Sequence, residues 1–428
     1  MSSNKRLIIC AAPAGVGTGS NFGMQTVDFA AHNLIKRLGL EQKAEIHRPW
    51  PALSPELGGD PQTETFDRWP TEFTTSIDRG QIKDGDLVLT WGDFQLGHDY
   101  QIQSAKRYSN IQKQLGRVTD SDQAMDWALD YFLMRKALDK KITLGCFGTT
   151  LFQNSVSDWV SEPYRGSLET YLSSCSFMKF RDPYSSWSIS RMMNQENQSL
   201  WGVDCALLNT REELLSLPRS EAGCLIEPGS VGVYFGRSSK KFSYLALGKF
   251  LKKASKVFEA DLDWIPWNQF SGGKLFARRP RLLSKPMVNI GEKQISTSGD
   301  MLHMLDSCKL VITDTYHVAI NAMCLRIPAI CIYEPSPRRK RDANMGYRET
   351  LRDKRALLFS STNQSDFLMT ADDLKDQTFS MSKLQHIKKL LENTAAIERW
   401  SNWLTNEQES ARESLHNFIK GKMGIREC

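Results

Sequence analysis

Buried strands alternate with helices twice along this chain, and that alternation restricts it to an α/β fold. The first run opens with an apolar segment at residues 5–12, a Gly-rich turn at 13–23 and a helical stretch at 24–38. Strand, turn and helix in this order are typical of the start of a doubly wound domain. Further strands are predicted at residues 86–90 and 142–147. The first part of the chain is therefore predicted to form a Rossmann-like domain.

The alternation starts again after a break near residues 211–229. The second run has predicted strands at 230–235, 261–266, 310–313 and 329–333, with helices at 242–258 and 316–325. The helix at 316–325 is short and has little polar surface, which is typical of a buried helix. From residue 383 onward the chain has a polar, helical pattern.

These two runs predict an α/β fold with two Rossmann-like domains facing a cleft (GT-B-like) and a polar C-terminal helical segment. The predicted limits are residues 1–220 for the N-terminal domain, 221–380 for the C-terminal domain and 381–428 for the helical segment. Ligands in such folds bind at the carboxyl ends of the strands, where the two halves face each other.

Charge and cysteine content exclude several classes of protein. The net charge of +6 comes from 55 Lys and Arg against 49 Asp and Glu among 428 residues, which is too small for a nucleic-acid binder. It does fit an enzyme that attracts a small anion. The nine cysteines form no CxxC pair, so neither a zinc site nor a disulfide framework is indicated. Without a secretion signal or a membrane span in the pattern, we expect a cytoplasmic protein with reduced thiols.

His317 is the strongest candidate for catalysis. It follows the strand at 310–313 directly and lies in the first turn of the short helix, where Thr313, Asp314 or Thr315 can cap the helix. The helix N-terminus favours the neutral imidazole, whereas a bound anion favours the charged one. A histidine balanced between these effects can exchange protons near neutral pH. The alternative is a histidine that only packs or caps.

The sequence around His317 carries a family resemblance. Residues 311–322 read VITDTYHVAINA and residues 326–330 read RIPAI. This stretch resembles the polysaccharide pyruvyl transferase family, in which a late strand leads to Arg-x-His at a helix start, a small-residue helix, Gly-x-Pro and another strand. His317 and Pro328 match, whereas Thr315 stands where the family has Arg. The resemblance implies that Thr315 and Tyr316 bind substrate. Because the family Arg is absent here, the identity of the donor stays open.

A second match lies in the middle of the chain. Residues 181–186 read RDPYSS, and residues 202–206 read GVDCA. The family has Arg-Asp followed by Ser here, and then a strand that carries Asp. The resemblance implies that Arg181 binds the carboxylate or phosphate of the donor and that Asp182 orients it. A structural ion pair is the alternative.

The Gly-rich turn near the start gives a third match. Its Asn21, Phe22 and Gly23 fit the family's first strand-turn segment, although Met24 replaces an acid. Glycines allow backbone N–H groups to approach an anion, so Gly19 and Asn21 are candidates for binding substrate. The glycine spacing fits a dinucleotide fingerprint poorly, which argues against an NAD site.

The loop after the strand at 329–333 is strongly basic. It includes Arg338, Arg339 and Arg341 at the carboxyl end of that strand, where they could bind phosphate. A solvated loop or a contact with a membrane surface is the alternative.

Five other residues are weaker candidates. Asp261 and Asp263 have a metal-binding spacing inside a predicted strand, His98 and Asp99 could contact an acceptor, and His303 is expected to pack on a helix. No metal is predicted, and no Gly-x-Ser-x-Gly pattern supports hydrolase chemistry.

The resemblance implies transfer of a pyruvyl group from phosphoenolpyruvate to a sugar as a ketal. His317 would be the acid or base, no cofactor is expected, and phosphoenolpyruvate is the donor substrate. The implied partners are a saccharide or glycolipid-linked oligosaccharide acceptor and a small anionic donor, with no nucleic acid. The acceptor is expected on the N-terminal domain and the donor on the C-terminal domain. Contact with the inner face of a membrane stays open, as does the oligomeric state. The alternatives are a nucleotide-sugar glycosyltransferase of the same architecture and a non-catalytic carbohydrate-binding protein.

Overall fold

The computed structural model describes residues 5–11, 22–48, 74–75, 82–93, 96–114, 116, 120–151, 162–194, 200–219, 226–236, 244–265, 267, 297–333 and 353–425. Its strands are β1 Leu7–Ala11, β2 Ala44–Arg48, β3 Thr74–Thr75, β4 Leu87–Trp91, β5 Thr143–Thr149, β6 Cys175–Phe180, β7 Val231–Tyr234, β8 Leu262–Trp264, β9 Leu310–Thr313, β10 Ala329–Tyr333 and β11 Leu368–Thr370. Its α-helices are α1 Phe22–Arg37, α2 His98–Gln114, α3 Ser121–Phe132, α4 Arg135–Leu138, α5 Tyr164–Ser174, α6 Pro183–Met192, α7 Arg211–Leu215, α8 Tyr244–Phe258, α9 Ser298–Ser307, α10 Tyr316–Cys324, α11 Lys354–Ser361, α12 Gln377–Glu392 and α13 Thr394–Met423. No helix in these ranges combines the length and the apolar character that crossing a membrane requires.

The first sheet is parallel, and its described strands lie in the order β3-β2-β1-β4-β5-β6. In its centre, Leu7 of β1 pairs with Ala44 of β2 on one side and Leu87 of β4 on the other. All residues of β1 and β4 are buried, as expected for strands covered on both faces. The strand order reverses between β1 and β4, and ligands of such sheets bind beyond the carboxyl ends of the strands at the reversal.

The second sheet is also parallel, with its described strands in the order β11-β10-β9-β7-β8. Val311 of β9 pairs with Gly232 of β7 and with Ala329 of β10. The strand order reverses between β7 and β9, which is the other common doubly wound arrangement. The two parallel sheets confirm the predicted α/β fold with two Rossmann-like domains of the GT-B-like class.

Helix α10 is buried along its whole length, as the sequence predicts: all of its residues, Tyr316–Cys324, are buried. Arg326 ends it in the left-handed region, with φ of 64°. That conformation costs a residue other than glycine about 1 kcal/mol. The family that this stretch of sequence resembles has Gly at this position. The Arg326 guanidinium donates a hydrogen bond of 2.8 Å to Thr405 of α13, which offsets part of this cost.

Contacts between residues divide the chain into two units, one around each sheet. Unit 1 comprises Met1–Gly17, Val27–Leu208 and Gln408–Cys428, and unit 2 comprises Thr18–Thr26 and Asn209–Glu407. Helix α13 begins in unit 2 and ends in unit 1. The predicted domain limits at residues 220 and 380 stay a prediction.

The last part of α13 belongs to the core of unit 1. The ring of Phe418 stacks on Phe177 of β6, with 4.6 Å between the centroids. A Cβ atom on Gly145 of β5 would lie 2.9 Å from the Phe418 ring, so only glycine leaves room for it. Gln408 donates a hydrogen bond of 2.7 Å to the carbonyl of Leu207. The polar C-terminal segment therefore completes the packing of the first sheet.

Candidate active site

His317 lies at the carboxyl end of β9, in the first turn of α10. Its side chain is 2 % exposed. Thr315 is the N-cap residue, but its hydroxyl makes no capping bond to the helix. Instead that hydroxyl donates to the Asp314 carboxylate at 2.9 Å, and the Thr315 N–H donates to the Thr313 hydroxyl at 3.0 Å. The turn before His317 is therefore held by hydrogen bonds among the residues that the sequence predicts as caps.

Asn321, one turn later in α10, stabilises the backbone at His317. Its side-chain Nδ2 donates to the His317 carbonyl at 2.7 Å. The side chain is fully buried, and its Oδ1 has no hydrogen-bond partner among the described residues. Because a buried amide without all of its hydrogen bonds is costly, Asn321 marks this turn as more than simple packing.

Asp314 connects the carboxyl ends of two neighbouring strands. Its Oδ1 accepts a hydrogen bond of 2.8 Å from the N–H of Gly236, which comes two residues after β7. Asp314 is fully buried. The connection lies where the strand order of the second sheet reverses, which is where doubly wound folds bind ligands.

Arg355 is the main cation near this turn. Its Nη1 donates to the carbonyls of Asp314 at 2.8 Å and of Ile332 at 3.4 Å. Asp353 accepts from Nε at 2.9 Å and from Nη2 at 2.7 Å. Burial alone would lower the pKa of Arg355, but the hydrogen bonds and charge of Asp353 more than offset it and raise the pKa. Arg355 therefore stays charged and fixes α11 against β9 and β10.

Lys354, the residue before Arg355, also contacts this turn. Its Nζ lies 4.6 Å from the centre of the Tyr316 ring, a cation–π contact. The Tyr316 ring packs edge-on against His317, with 5.4 Å between the centroids. Thr315, Tyr316 and His317, which the resemblance names as site residues, are therefore together in unit 2 with two cations.

Arg181 lies in unit 1, at the carboxyl end of β6. Its guanidinium forms ion pairs with Asp93, which follows β4, and with Asp204 at 3.4 Å. All three side chains are at most 5 % exposed. The structure thus gives Arg181 the ion pair that was the alternative in the sequence analysis, and the predicted contact with a donor stays a prediction.

Asp182 caps helix α6. Its Oδ1 accepts from the Ser185 N–H at 2.8 Å, and its Oδ2 accepts from the Ser185 hydroxyl at 2.8 Å. The Thr150 hydroxyl, just after β5, donates to the same Oδ2 at 2.6 Å. Ser185 is the serine after Arg-Asp-Pro-Tyr in the family-like motif, so this motif builds the start of a helix. Whether Asp182 orients a substrate stays a prediction.

Several predicted site residues lie outside the described residues. These are Gly19 and Asn21 of the Gly-rich turn and Arg338, Arg339 and Arg341 of the basic loop. Their predicted contacts with substrate stay predictions.

The weaker candidates have ordinary packing contacts. His98 is 6 % exposed, and its ring centroid lies 4.5 Å from that of Tyr164. The Nε2 of His303 lies 3.1 Å from the carbonyl of Leu215. Among the described residues, including Asp261 and Asp263, no group of three or more His, Cys, Asp or Glu side chains is placed to hold a metal ion.

Sequence reasoning missed Asp93, Lys354 and Arg355. Asp93 could have been found, because it is the first acidic residue after the strand that leads into Trp91-Gly92. Lys354 and Arg355 gave no such signal, because they begin a helix, α11, that the sequence analysis did not predict. They are brought to the site by the fold, more than 35 residues after His317.

Comparison with known proteins agrees with the resemblance. The family model described as polysaccharide pyruvyl transferase matches residues 34–336 of the chain. This range covers most of both sheets and includes Arg181, Asp182 and the turn at His317. The chain therefore belongs to the polysaccharide pyruvyl transferase family and is a transferase. No curated protein sequence matches it.

Solved structures with a similar course of the chain share little of its sequence. UDP-GlcNAc 2-epimerase from Neisseria meningitidis bound to UDP-GlcNAc matches with a TM-score of 0.49 and 10 % identity, covering 96 % of this chain and 99 % of its own. The S. aureus MnaA-UDP structure matches with a TM-score of 0.44 and 9 % identity, covering 99 % of this chain and 98 % of its own. CalG4, the calicheamicin glycosyltransferase, matches with a TM-score of 0.43 and 11 % identity, covering 98 % of this chain and 99 % of its own.

Proposed function

We propose that this transferase moves the pyruvyl group of phosphoenolpyruvate onto two hydroxyls of a saccharide, forming a ketal. The observation that carries the proposal is the turn at His317. A buried imidazole lies in the first turn of α10 at the reversal of strand order, where Lys354 contacts the adjacent Tyr316 ring and Arg355 donates to the Asp314 carbonyl. An acid–base group next to cations suits a donor that is protonated at carbon and loses phosphate.

The proposed reaction forms two C–O bonds at C2 of phosphoenolpyruvate and breaks its bond to the phosphate oxygen. His317 donates a proton to the methylene carbon C3, and the first sugar oxygen bonds to C2 and passes its proton back to the imidazole. The second sugar oxygen then displaces phosphate, which leaves with the proton of that hydroxyl. The products are a cyclic ketal, which carries a methyl and a carboxylate group, and inorganic phosphate.

In this proposal the acceptor binds on unit 1, as predicted for the N-terminal domain. Asp93, Asp182 and Asp204 gather carboxylates at the carboxyl ends of its strands. These carboxylates are buried and already bonded to Arg181, Ser185 and Thr150, so they disfavour an anionic donor at this edge without themselves contacting sugar hydroxyls. A saccharide or a glycolipid-linked oligosaccharide fits this side. A cytoplasmic location, contact with a membrane and independence from a cofactor remain parts of the proposal.

Calorimetric titration of the full chain with phosphoenolpyruvate, beside a panel of nucleotide sugars, tests the donor. Saturable binding of phosphoenolpyruvate, followed by phosphate release when a saccharide is added, is the expected result. Binding of a nucleotide sugar instead would make the chain a glycosyltransferase, the alternative that the missing family Arg at position 315 keeps open. Saccharide binding with neither donor would make it a non-catalytic binding protein.

A further inference from the structure

One of the two cations at the turn of His317, Lys354, comes from an element that the sequence did not single out. Lys354 is the first residue of α11, and its Nζ lies 4.6 Å from the centre of the Tyr316 ring. That ring contacts the His317 ring, with 5.4 Å between their centroids. One aromatic ring therefore separates Lys354 from the imidazole that the proposed function uses for proton transfer.

The position of Lys354 is fixed by its neighbour. Arg355 donates to the carbonyl of Asp314 at 2.8 Å and to that of Ile332 at 3.4 Å, so the first turn of α11 is tied to the ends of β9 and β10. Asp353 engages the same guanidinium through two nitrogens. Because parallel sheets bind ligands beyond these strand ends, Lys354 is held at the edge where a donor would bind.

Helix stability does not account for a lysine at this position. The first turn of α11 starts with two cations, Lys354 and Arg355, and its N-cap carboxylate, Asp353, is bonded to the Arg355 N–H and guanidinium. Cations are unfavourable at a helix N-terminus, since the helix dipole is positive there. Asp353 compensates Arg355, whereas a bound anion would compensate the charge of Lys354.

We propose that Lys354 binds the phosphate of the anionic donor. In this chain Lys354 supplies the positive charge that an Arg at position 315 supplies in the family. The Thr315 hydroxyl cannot do so, because it is neutral and donates to Asp314. The inference rests on the proposed function for the place of the donor, but its chemistry applies to any phosphate-bearing donor.

The test compares three variants of the full chain in calorimetric titrations. Lys354→Met keeps an unbranched stem against Tyr316 and removes the charge, whereas Lys354→Arg keeps the charge. Lys256→Met is the matched control, because Lys256 is an exposed lysine of α8 in the same unit. Thermal melting of each variant confirms that the fold is retained. The titrants are phosphoenolpyruvate, inorganic phosphate, pyruvate and uridine diphosphate.

We expect Lys354→Met to weaken phosphoenolpyruvate binding by about 10- to 100-fold, the loss that corresponds to one hydrogen bond to a charged group. Lys354→Arg should restore most of the affinity, and Lys256→Met should leave it unchanged. Inorganic phosphate should lose affinity in Lys354→Met, and pyruvate should not. Loss of pyruvate binding alone would overturn the assignment to the phosphate.

The outcomes separate this inference from the proposed function. Equal phosphoenolpyruvate affinity in the parent chain and in Lys354→Met overturns the role of Lys354 and leaves the proposed donor in place. Binding of uridine diphosphate but not phosphoenolpyruvate, with a loss in Lys354→Met, supports Lys354 and overturns the proposed donor. A parent chain that binds none of the titrants overturns both.

Discussion

The carboxyl edges of the two sheets differ in charge and in exposure. Among the residues that the structure describes, the edge of the first sheet, the acidic edge, has three carboxylates and one guanidinium, namely Asp93, Asp182, Asp204 and Arg181. The described part of the edge of the second sheet, the histidine edge, has two carboxylates, two cations and an imidazole, namely Asp314, Asp353, Lys354, Arg355 and His317. An excess of carboxylates disfavours an anion, whereas cations near an imidazole suit an anion and a proton.

Burial indicates whether a substitution at each edge acts on stability or on catalysis. The ion pairs of Arg181 are almost completely buried, with side chains at most 5 % exposed. At the histidine edge Asp314 and His317 are as deeply buried, but Asp353, Lys354 and Arg355 are only partly buried. We therefore expect changes at the acidic edge to act first on the stability of the fold, and changes at the histidine edge to act first on turnover.

The largest effect is expected at the histidine edge. Replacing His317 by Ala should lower the turnover number by about 10²- to 10⁴-fold, the usual contribution of a general acid or base. Phosphate release under saturating substrate measures it. The matched control is His303→Ala, a histidine of the same unit that contacts the Leu215 carbonyl. If both variants lose turnover equally, the loss at His317 reflects packing, and the contrast between the edges fails.

At the acidic edge the expected loss is one of stability. Arg181→Met leaves Asp93 and Asp204 buried without their cation, which should lower the free energy of unfolding by about 3–5 kcal/mol. Urea denaturation followed by tryptophan fluorescence measures it. The control Arg211→Met breaks an exposed pair with Asp306 and should cost about 0–1 kcal/mol. A stable Arg181→Met variant with weakened donor binding would instead place the donor at the acidic edge.

The first sheet should also be sensitive to its close contact with α13. Gly145→Ala places a methyl group 2.9 Å from the Phe418 ring, and such overpacking costs about 1–3 kcal/mol. Adding Phe418→Leu should recover part of the lost free energy of unfolding in the same urea experiment, because the smaller side chain leaves space for the methyl group. Independent, additive losses from the two changes would contradict the contact between Gly145 and Phe418.

The smallest expected effect is a pH dependence of the stability of unit 1, caused by His416. Burial lowers the pKa of His416, and the charges of Arg37, Lys420 and Arg412 lower it further. The unfolded chain therefore binds this proton more tightly, so the free energy of unfolding is retained above about pH 6.5 and falls as the pH drops below it. His416→Gln should flatten this slope in urea titrations at several pH values. An unchanged slope would assign the dependence to other groups.

The sequence predicts the central strands well, because their apolar runs are unmistakable. The predicted strands at residues 5–12, 86–90 and 310–313 are confirmed as β1, β4 and β9. Four of the described strands were missed, namely β2, β3, β6 and β11. Strands β3 and β11 have only two or three residues, and β2 and β6 mix polar or charged residues with their apolar ones. Strands β3, β6 and β11 lie at sheet edges, where burial places the fewest demands on composition.

For the candidate site, sequence reasoning could find what lies in one continuous stretch. The turn from Thr313 to His317 was predicted as a helix start, and the structure has it there. The partners of that turn come from elsewhere, Gly236 after β7 and Arg355 in α11. Such contacts depend on strand order, and a single sequence shows strands without showing which ones are neighbours.

The position of α13 also affects the order in which the molecule can be made. Gln408 bonds to Leu207 across 201 residues of chain, and Phe418 fills the space beside Gly145. During synthesis the first sheet emerges from the ribosome long before these residues exist. Since contacts far apart in sequence form late and leave apolar surface exposed meanwhile, the first unit to be translated is the last to be completed.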